Sequence, residues 1–166
     1  MHLPERDDVL ARLIKALKPG GWLLDEEFDV LSMPTDAGIN RRETSLHSVS
    51  ALNRVLEERG VELRFGRFLY GRLRALGLAE AGAQGRLWAG GGGSVVAKLV
   101  RSNLCQLREV MIERGYTTAE ELEDDLRNLD HPDSLGLTPV MWSAWGRRPG
   151  AADRIADAAH FIRSGI

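Results

Sequence analysis

The chain has 166 residues with a formal net charge of -2. At 43% apolar and 28% charged it falls in the globular range, which excludes disorder of the whole chain. No apolar run is long enough to span a bilayer, and neither the charge nor the pI of about 6.1 predicts a nucleic-acid or anionic-membrane surface.

From the N-terminus, Pro4 stands near the first turn of a predicted helix, where its missing N–H costs nothing. Val9, Leu10, Leu13, Ile14 and Leu17 share its apolar face, and Pro19-Gly20-Gly21 stops it. Trp22-Leu23-Leu24 reads as a buried strand that ends in the acidic cluster Asp25, Glu26, Glu27 and Asp29. Residues 30–40, with Pro34 and Gly38, read as loop.

A second helix is predicted over residues 45–59, with Leu46, Val49, Leu52, Val55 and Leu56 inward and Gly60 beyond its end. A third follows over 65–76, with Phe65, Phe68, Leu69, Leu73 and Leu76 inward, closed by Gly77. Residues 78–88 read as a strand and Gly90–Gly93 as a loop. Ser94 then caps one long helix whose face runs from Val95 to Met111 and which Gly115 closes. Thr117 or Thr118 then caps a short helix that buries Leu122, Leu126 and Leu129, with Thr117 and Glu120 at capping-box spacing. Residues 130–133 form a turn, 140–146 a last strand, and 150–166 an appended tail in which Ile155, Ala159 and Ile162 fit a short helix.

The chemical signals are sparse. Carboxylates at a strand end suit a ligand site, because open α/β sheets bind ligands beyond the carboxyl ends of their strands; a solvated strand end is the bland alternative. His2, His47, His131 and His160 show no metal-ligand spacing, so no metal site is expected. Cys105, flanked by apolar helix residues, reads as a buried inert thiol, and a single cysteine excludes an intrachain disulfide. Gly93 stands where a phosphate-binding loop needs lysine, so the glycine run reads as a hinge. Residues 120–125 read as the solvated acidic face of a helix, and Trp22, Trp88, Trp142 and Trp145 as packing between sheet and helices. A soluble, cytoplasmic α/β domain accommodates all of this.

The stretch His2-Leu3-Pro4-Glu5-Arg6, followed by Val9-Leu10 and then Leu17-Lys18-Pro19-Gly20-Gly21-Trp22-Leu23-Leu24, resembles a class I S-adenosylmethionine-dependent methyltransferase of the small-molecule type. In that family an H-L-P-x-R turn follows the fourth strand, and a helix and a Pro-Gly-Gly turn lead into the fifth. The resemblance extends over residues 2–149, to Gly146-Arg147-Arg148-Pro149. It implies an α/β fold with part of a Rossmann-like sheet, in which the fifth, seventh and sixth strands lie side by side and the seventh is antiparallel. It makes residues 1–149 the C-terminal part of a methyltransferase-like domain. Residue 1 then falls just after the family's fourth strand, and the glycine-rich loop and ribose-binding acid of the family's first half have no counterpart here.

On this resemblance His2 and Leu3 approach S-adenosylmethionine, and Glu26, Glu27 and Asp29 face a small-molecule methyl acceptor. No catalytic residue is implied; many members work by aligning donor and acceptor. The fifth strand would be an open sheet edge, which predicts a homo-oligomer or a complex with a separate N-terminal half, and an isolated chain without activity. The alternatives are a non-catalytic methyltransferase-like interaction or regulatory module, and an unrelated α/β binding domain that shares only the Pro-Gly-Gly turn.

Overall fold

A computed structural model of the protein describes residues 2–33 and 46–150. The expected helical tail, and most of the loop expected over 30–40, lie outside the described residues. The architecture is mixed α/β. Along the chain run α1 (Arg6–Ala16), β1 (Trp22–Asp29), a 3-10 turn (Val30–Ser32), α2 (His47–Glu58), α3 (Phe65–Ala75), β2 (Ala79–Arg86) and β3 (Ala89–Gly91). Then come α4 (Val95–Gln106), α5 (Arg108–Glu113), α6 (Ala119–Asp130), β4 (Leu135–Leu137) and β5 (Val140–Arg147). The main sheet has the order β1-β5-β2, with β5 antiparallel to both neighbours; β3 and β4 form a separate antiparallel pair.

Local chemistry explains these elements. Gly20 takes φ +80°, a conformation open to glycine, and its N–H donates to the Arg148 carbonyl at 2.8 Å. The Arg148 N–H returns a bond to the Gly21 carbonyl, also at 2.8 Å, so the Pro-Gly-Gly turn is pinned to the end of β5 and sets the register Trp22↔Arg147. The Arg148 guanidinium also donates to the carbonyls of Lys15 and Leu17, satisfying acceptors that α1 leaves open at its C-terminus. The small residues of β2 make room for indoles on the central strand. A Cβ at Gly82 would sit 2.5 Å from the Trp145 ring, and Gly85 is close to Val140 and Trp142.

Side chains alternate across β1. Leu23 and Asp25 face the helices, and Leu23 packs on a core of Leu10, Ile14, Phe65, Leu69, Leu73, Leu78 and Ala144 beneath α1 and α3. Trp22 and Leu24 lie on the opposite face and are 52% and 62% exposed. The strand is therefore half-open rather than buried, and Trp22 and Trp88, both exposed, do not serve core packing. Leu13, Phe68 and Leu76 also lie outside the core. Phe68 instead carries Arg72, whose guanidinium stacks on Phe65 and Phe68 at 4.5 and 5.8 Å.

A second core joins α2, α4, α5 and α6 through Val49, Val55, Leu104, Met111, Leu122 and Leu126. The long helix expected after Ser94 is two helices, because Leu107 leaves helical geometry at φ -107°, ψ 8°. The break turns the chain so that Leu104 and Met111 both reach this core. Asp125 departs from the solvated acidic face expected of α6. It is 3% exposed and accepts the Ser48 N–H at 2.7 Å, capping α2 from 77 residues away. Cys105 is exposed, one position out of phase with the buried Leu104.

Of the two expected caps, Thr118 rather than Thr117 caps α6, and the capping box pairs it with Glu121 instead of Thr117 with Glu120. Thr118 accepts from the Glu121 N–H and Glu121 accepts from the Thr118 N–H. The Thr118 N–H, and then the Thr117 hydroxyl, which donates to the same carboxylate at 3.2 Å, hold the Glu121 carboxyl below its ordinary pKa. Thr118→Ala, which removes the acceptor of the Glu121 N–H, is expected to lower stability by about 1 kcal/mol in urea melts, and Thr118→Ser to restore most of it.

Candidate functional site

The acidic cluster does not follow the strand; it lies inside it. β5 offers eight residues from Val140 to Arg147, and the ladder with β1 runs without interruption from Trp22↔Arg147 to Asp29↔Val140. The carboxylates therefore project to alternate faces instead of converging beyond the strand end.

Each carboxylate has its own surroundings. Glu26 is on the open face, opposite Ser143. It accepts from the Ser143 hydroxyl and from Arg86 Nη2, the latter at 2.5 Å. Asp29 is buried and accepts both bonds of an Arg67 fork, at 2.7 and 2.8 Å. It is thus an anchor between β1 and α3, which corrects its expected place facing a substrate. Glu27 lies opposite Trp142, on the same side as Asp25. Half-burial, and then the charge of Glu27 two residues along, push the Asp25 carboxyl above its ordinary pKa.

Beyond the end of β1 the chain is held closely. The Ser32 hydroxyl donates to the Asp29 carbonyl at 2.6 Å and accepts the Val140 N–H at 2.7 Å. This positions Phe28 and Val30 in the wall of a cavity of about 600 Å³ between β1, α2 and α4. Val49, Leu52, Leu99 and Val100 supply apolar wall; His2, Asn53, Arg59, Asn103 and Gln106 supply polar groups. A second apolar cavity of about 480 Å³ shares Phe28 and Leu99 with it and reaches Trp88 and Val95. Such volumes and linings suit small-molecule sites.

Of the residues singled out in the sequence, His2 reaches the large cavity, while Leu3 is exposed and does not line it. Glu26, Glu27 and Asp29 do not line it either. Sequence reasoning missed Asn53, Arg59, Asn103 and Gln106. Their signal was faint: Asn103 and Gln106 are three apart on α4, beside the apolar stripe of Leu99, Val100 and Leu107. The Asn53 amide oxygen is buried in the described structure without a hydrogen-bond partner.

The glycine run is not a simple loop. Gly90 and Gly91 pair in β3 with Gly136 and Leu135. A Cβ at Gly92 would fall 1.9 Å from the His131 carbonyl, and the Gly93 N–H donates to the Leu129 carbonyl. Ser94 caps α4 through the Ala97 N–H. The run therefore closes on the end of α6 and cradles no phosphate.

An S-adenosylmethionine site needs a glycine-rich cradle and a carboxylate for the ribose. Here the glycine run is packed, Asp29 is held by Arg67, and Glu26 by Ser143 and Arg86. The described residues do not fit the cofactor on their own. Among them no group of three His, Cys, Asp or Glu side chains is placed to hold a metal, and no helix is long and apolar enough to cross a membrane. Compared with known proteins, the sequence matches no family model and has no significant match to a curated protein.

Proposed function

We propose that the chain is the C-terminal, substrate-side part of an S-adenosylmethionine-dependent methyltransferase acting on a small molecule, and that it is inactive as an isolated chain. The observation that carries this reading is the sheet order β1-β5-β2 with β5 antiparallel to both neighbours. It is the order that the resemblance implies for the fifth, seventh and sixth strands.

The placement of the cavity supports the same reading. α2 belongs to the insertion between β1 and α3, and α4 to the insertion between β2 and β5. Together they border the space beyond the carboxyl end of β1, where α/β folds place their ligands. In this reading the acceptor occupies the cavity, His2 stands at the cofactor side, and the cofactor's principal contacts come from a separate N-terminal half or from a second copy. β1 is an edge of the described sheet and exposes Trp22 and Leu24, the form of edge that a partner covers.

Calorimetric titration of the purified chain with S-adenosylhomocysteine, with sedimentation velocity on the same sample, tests this. The expected result is an assembly larger than a monomer, or a monomer that binds the compound only when an N-terminal half is added. A monodisperse monomer that binds no cofactor, with or without such a half, would instead favour the non-catalytic interaction module. The open face around Trp22 and Leu24 is the observation on that side.

A further inference from the structure

We propose that the cavity between β1, α2 and α4 takes an amphiphilic monoanion, a ligand with an apolar ring or chain body and one carboxylate- or sulfonate-like group, and that Arg59 holds its anionic end. Identifying this ligand as the methyl acceptor rests on the methyltransferase reading; its binding does not.

The cavity wall divides by chemistry. Phe28, Val49, Leu52, Leu99 and Val100 offer a ligand nothing but apolar surface. A volume of about 600 Å³ accommodates a body of one or two rings or a short chain. The polar groups of the described lining are His2, Asn53, Arg59, Asn103 and Gln106, and among the described residues it contains neither Asp nor Glu. A cationic ligand would therefore lose its hydration against Arg59, with no carboxylate among the described wall residues to offset it.

Many arginines of the described chain already have partners: Arg54 lies over the Tyr116 ring and Arg6 donates to the Gly60 carbonyl. Arg67, Arg86, Arg101, Arg108 and Arg114 all pair with carboxylates. The Arg59 guanidinium makes no ion pair among the described residues. It stands exposed at the end of α2, on the rim of the apolar space. A planar guanidinium there presents the fork that an oxyanion accepts. The carboxamides of Asn103 and Gln106, also exposed, add donors on the facing helix. Neutral apolar ligands would fill the same space but draw nothing from Arg59.

Two fluorescent probes with the same ring system separate these terms: 8-anilinonaphthalene-1-sulfonate and its uncharged counterpart N-phenyl-1-naphthylamine. Both are titrated into the full chain. One sulfonate probe is expected to bind per chain. Arg59→Gln is expected to weaken it about tenfold, the scale of one charge-assisted contact, while the neutral probe changes by less than about twofold. Leu99→Trp, which fills the cavity from a half-exposed position, is expected to weaken both probes. Arg59→Lys should recover part of the sulfonate affinity, and it keeps the comparison valid if Arg59→Gln is poorly folded by circular dichroism.

Three outcomes overturn the proposal. These are sulfonate binding that does not saturate at one site, an Arg59→Gln variant that affects both probes alike or neither, and a Leu99→Trp variant that affects neither. A chain that binds the sulfonate probe as expected yet never binds S-adenosylhomocysteine in any assembly overturns the methyltransferase reading and leaves this one standing. The converse result overturns only the ligand class.

Discussion

Arg67→Met is expected to lower the unfolding free energy by about 3 kcal/mol. Arg67 brings two N–H donors to the two oxygens of Asp29, and its loss leaves a carboxylate with a 5% exposed side chain and no cation. Removing one partner of a buried pair costs about 3–5 kcal/mol; Arg67 itself is 39% exposed, so water can partly replace it and the lower end applies. Asp29→Asn should cost less, about 1–2 kcal/mol, because a neutral amide still accepts from the guanidinium and leaves no buried charge. Urea unfolding followed by circular dichroism measures both. Equal losses, or a loss under about 0.5 kcal/mol for Arg67→Met, would mean that solvent already screens the pair as it does on a surface. The pair also joins α3 to the end of β1, beside Phe28 and Val30 of the cavity wall. The damage should therefore extend to probe binding there.

Gly66→Ala should be at least as damaging, with a loss of about 3 kcal/mol or a failure to fold. Two effects oppose each other at this position. Alanine is the better helix former by about 1 kcal/mol, which favours the variant. Against that, a Cβ at Gly66 would lie 2.3 Å from the Glu27 carbonyl oxygen and 2.8 Å from the Phe28 carbonyl carbon. Both are backbone atoms of a strand hydrogen-bonded to β5, so neither can yield without distorting the ladder. Steric overlap wins, and α3 must move away from β1. Gly71→Ala on the same helix is the control, since a Cβ there meets nothing within 4 Å. It should be neutral or stabilising by up to about 1 kcal/mol in the same urea melts. The two losses at Gly66 and Arg67 should not add, because both act on the seating of α3 against one strand.

Much of the element pattern was legible because it depends on local spacing. The apolar periodicity of α2, α3 and α6 and the left-handed glycines at 60, 77 and 115 mark helices and their ends. The Pro-Gly-Gly turn announces β1. Local spacing could not show that α4 and α5 are separate helices, because the break at Leu107 serves a core assembled from four helices.

The site was much less legible, and the reason lies in strand pairing. Four acids in five residues look like one cluster along the chain. Whether they converge depends on how far the strand runs, which is set by the length and register of β5, more than 100 residues later. Pairing through Asp29↔Val140 sends Glu26 to Ser143 and Arg86 and buries Asp29 against Arg67. The cavity likewise joins residues from His2 to Pro139, which no spacing rule connects. By itself, then, the sequence determined where most helices lie and where glycines end them, because that pattern depends on neighbours three or four residues away. The tertiary structure decided which carboxylates were already partnered, which aromatic face stayed open and where the apolar cavity formed, because those depend on contacts between distant segments whose energies no local pattern records.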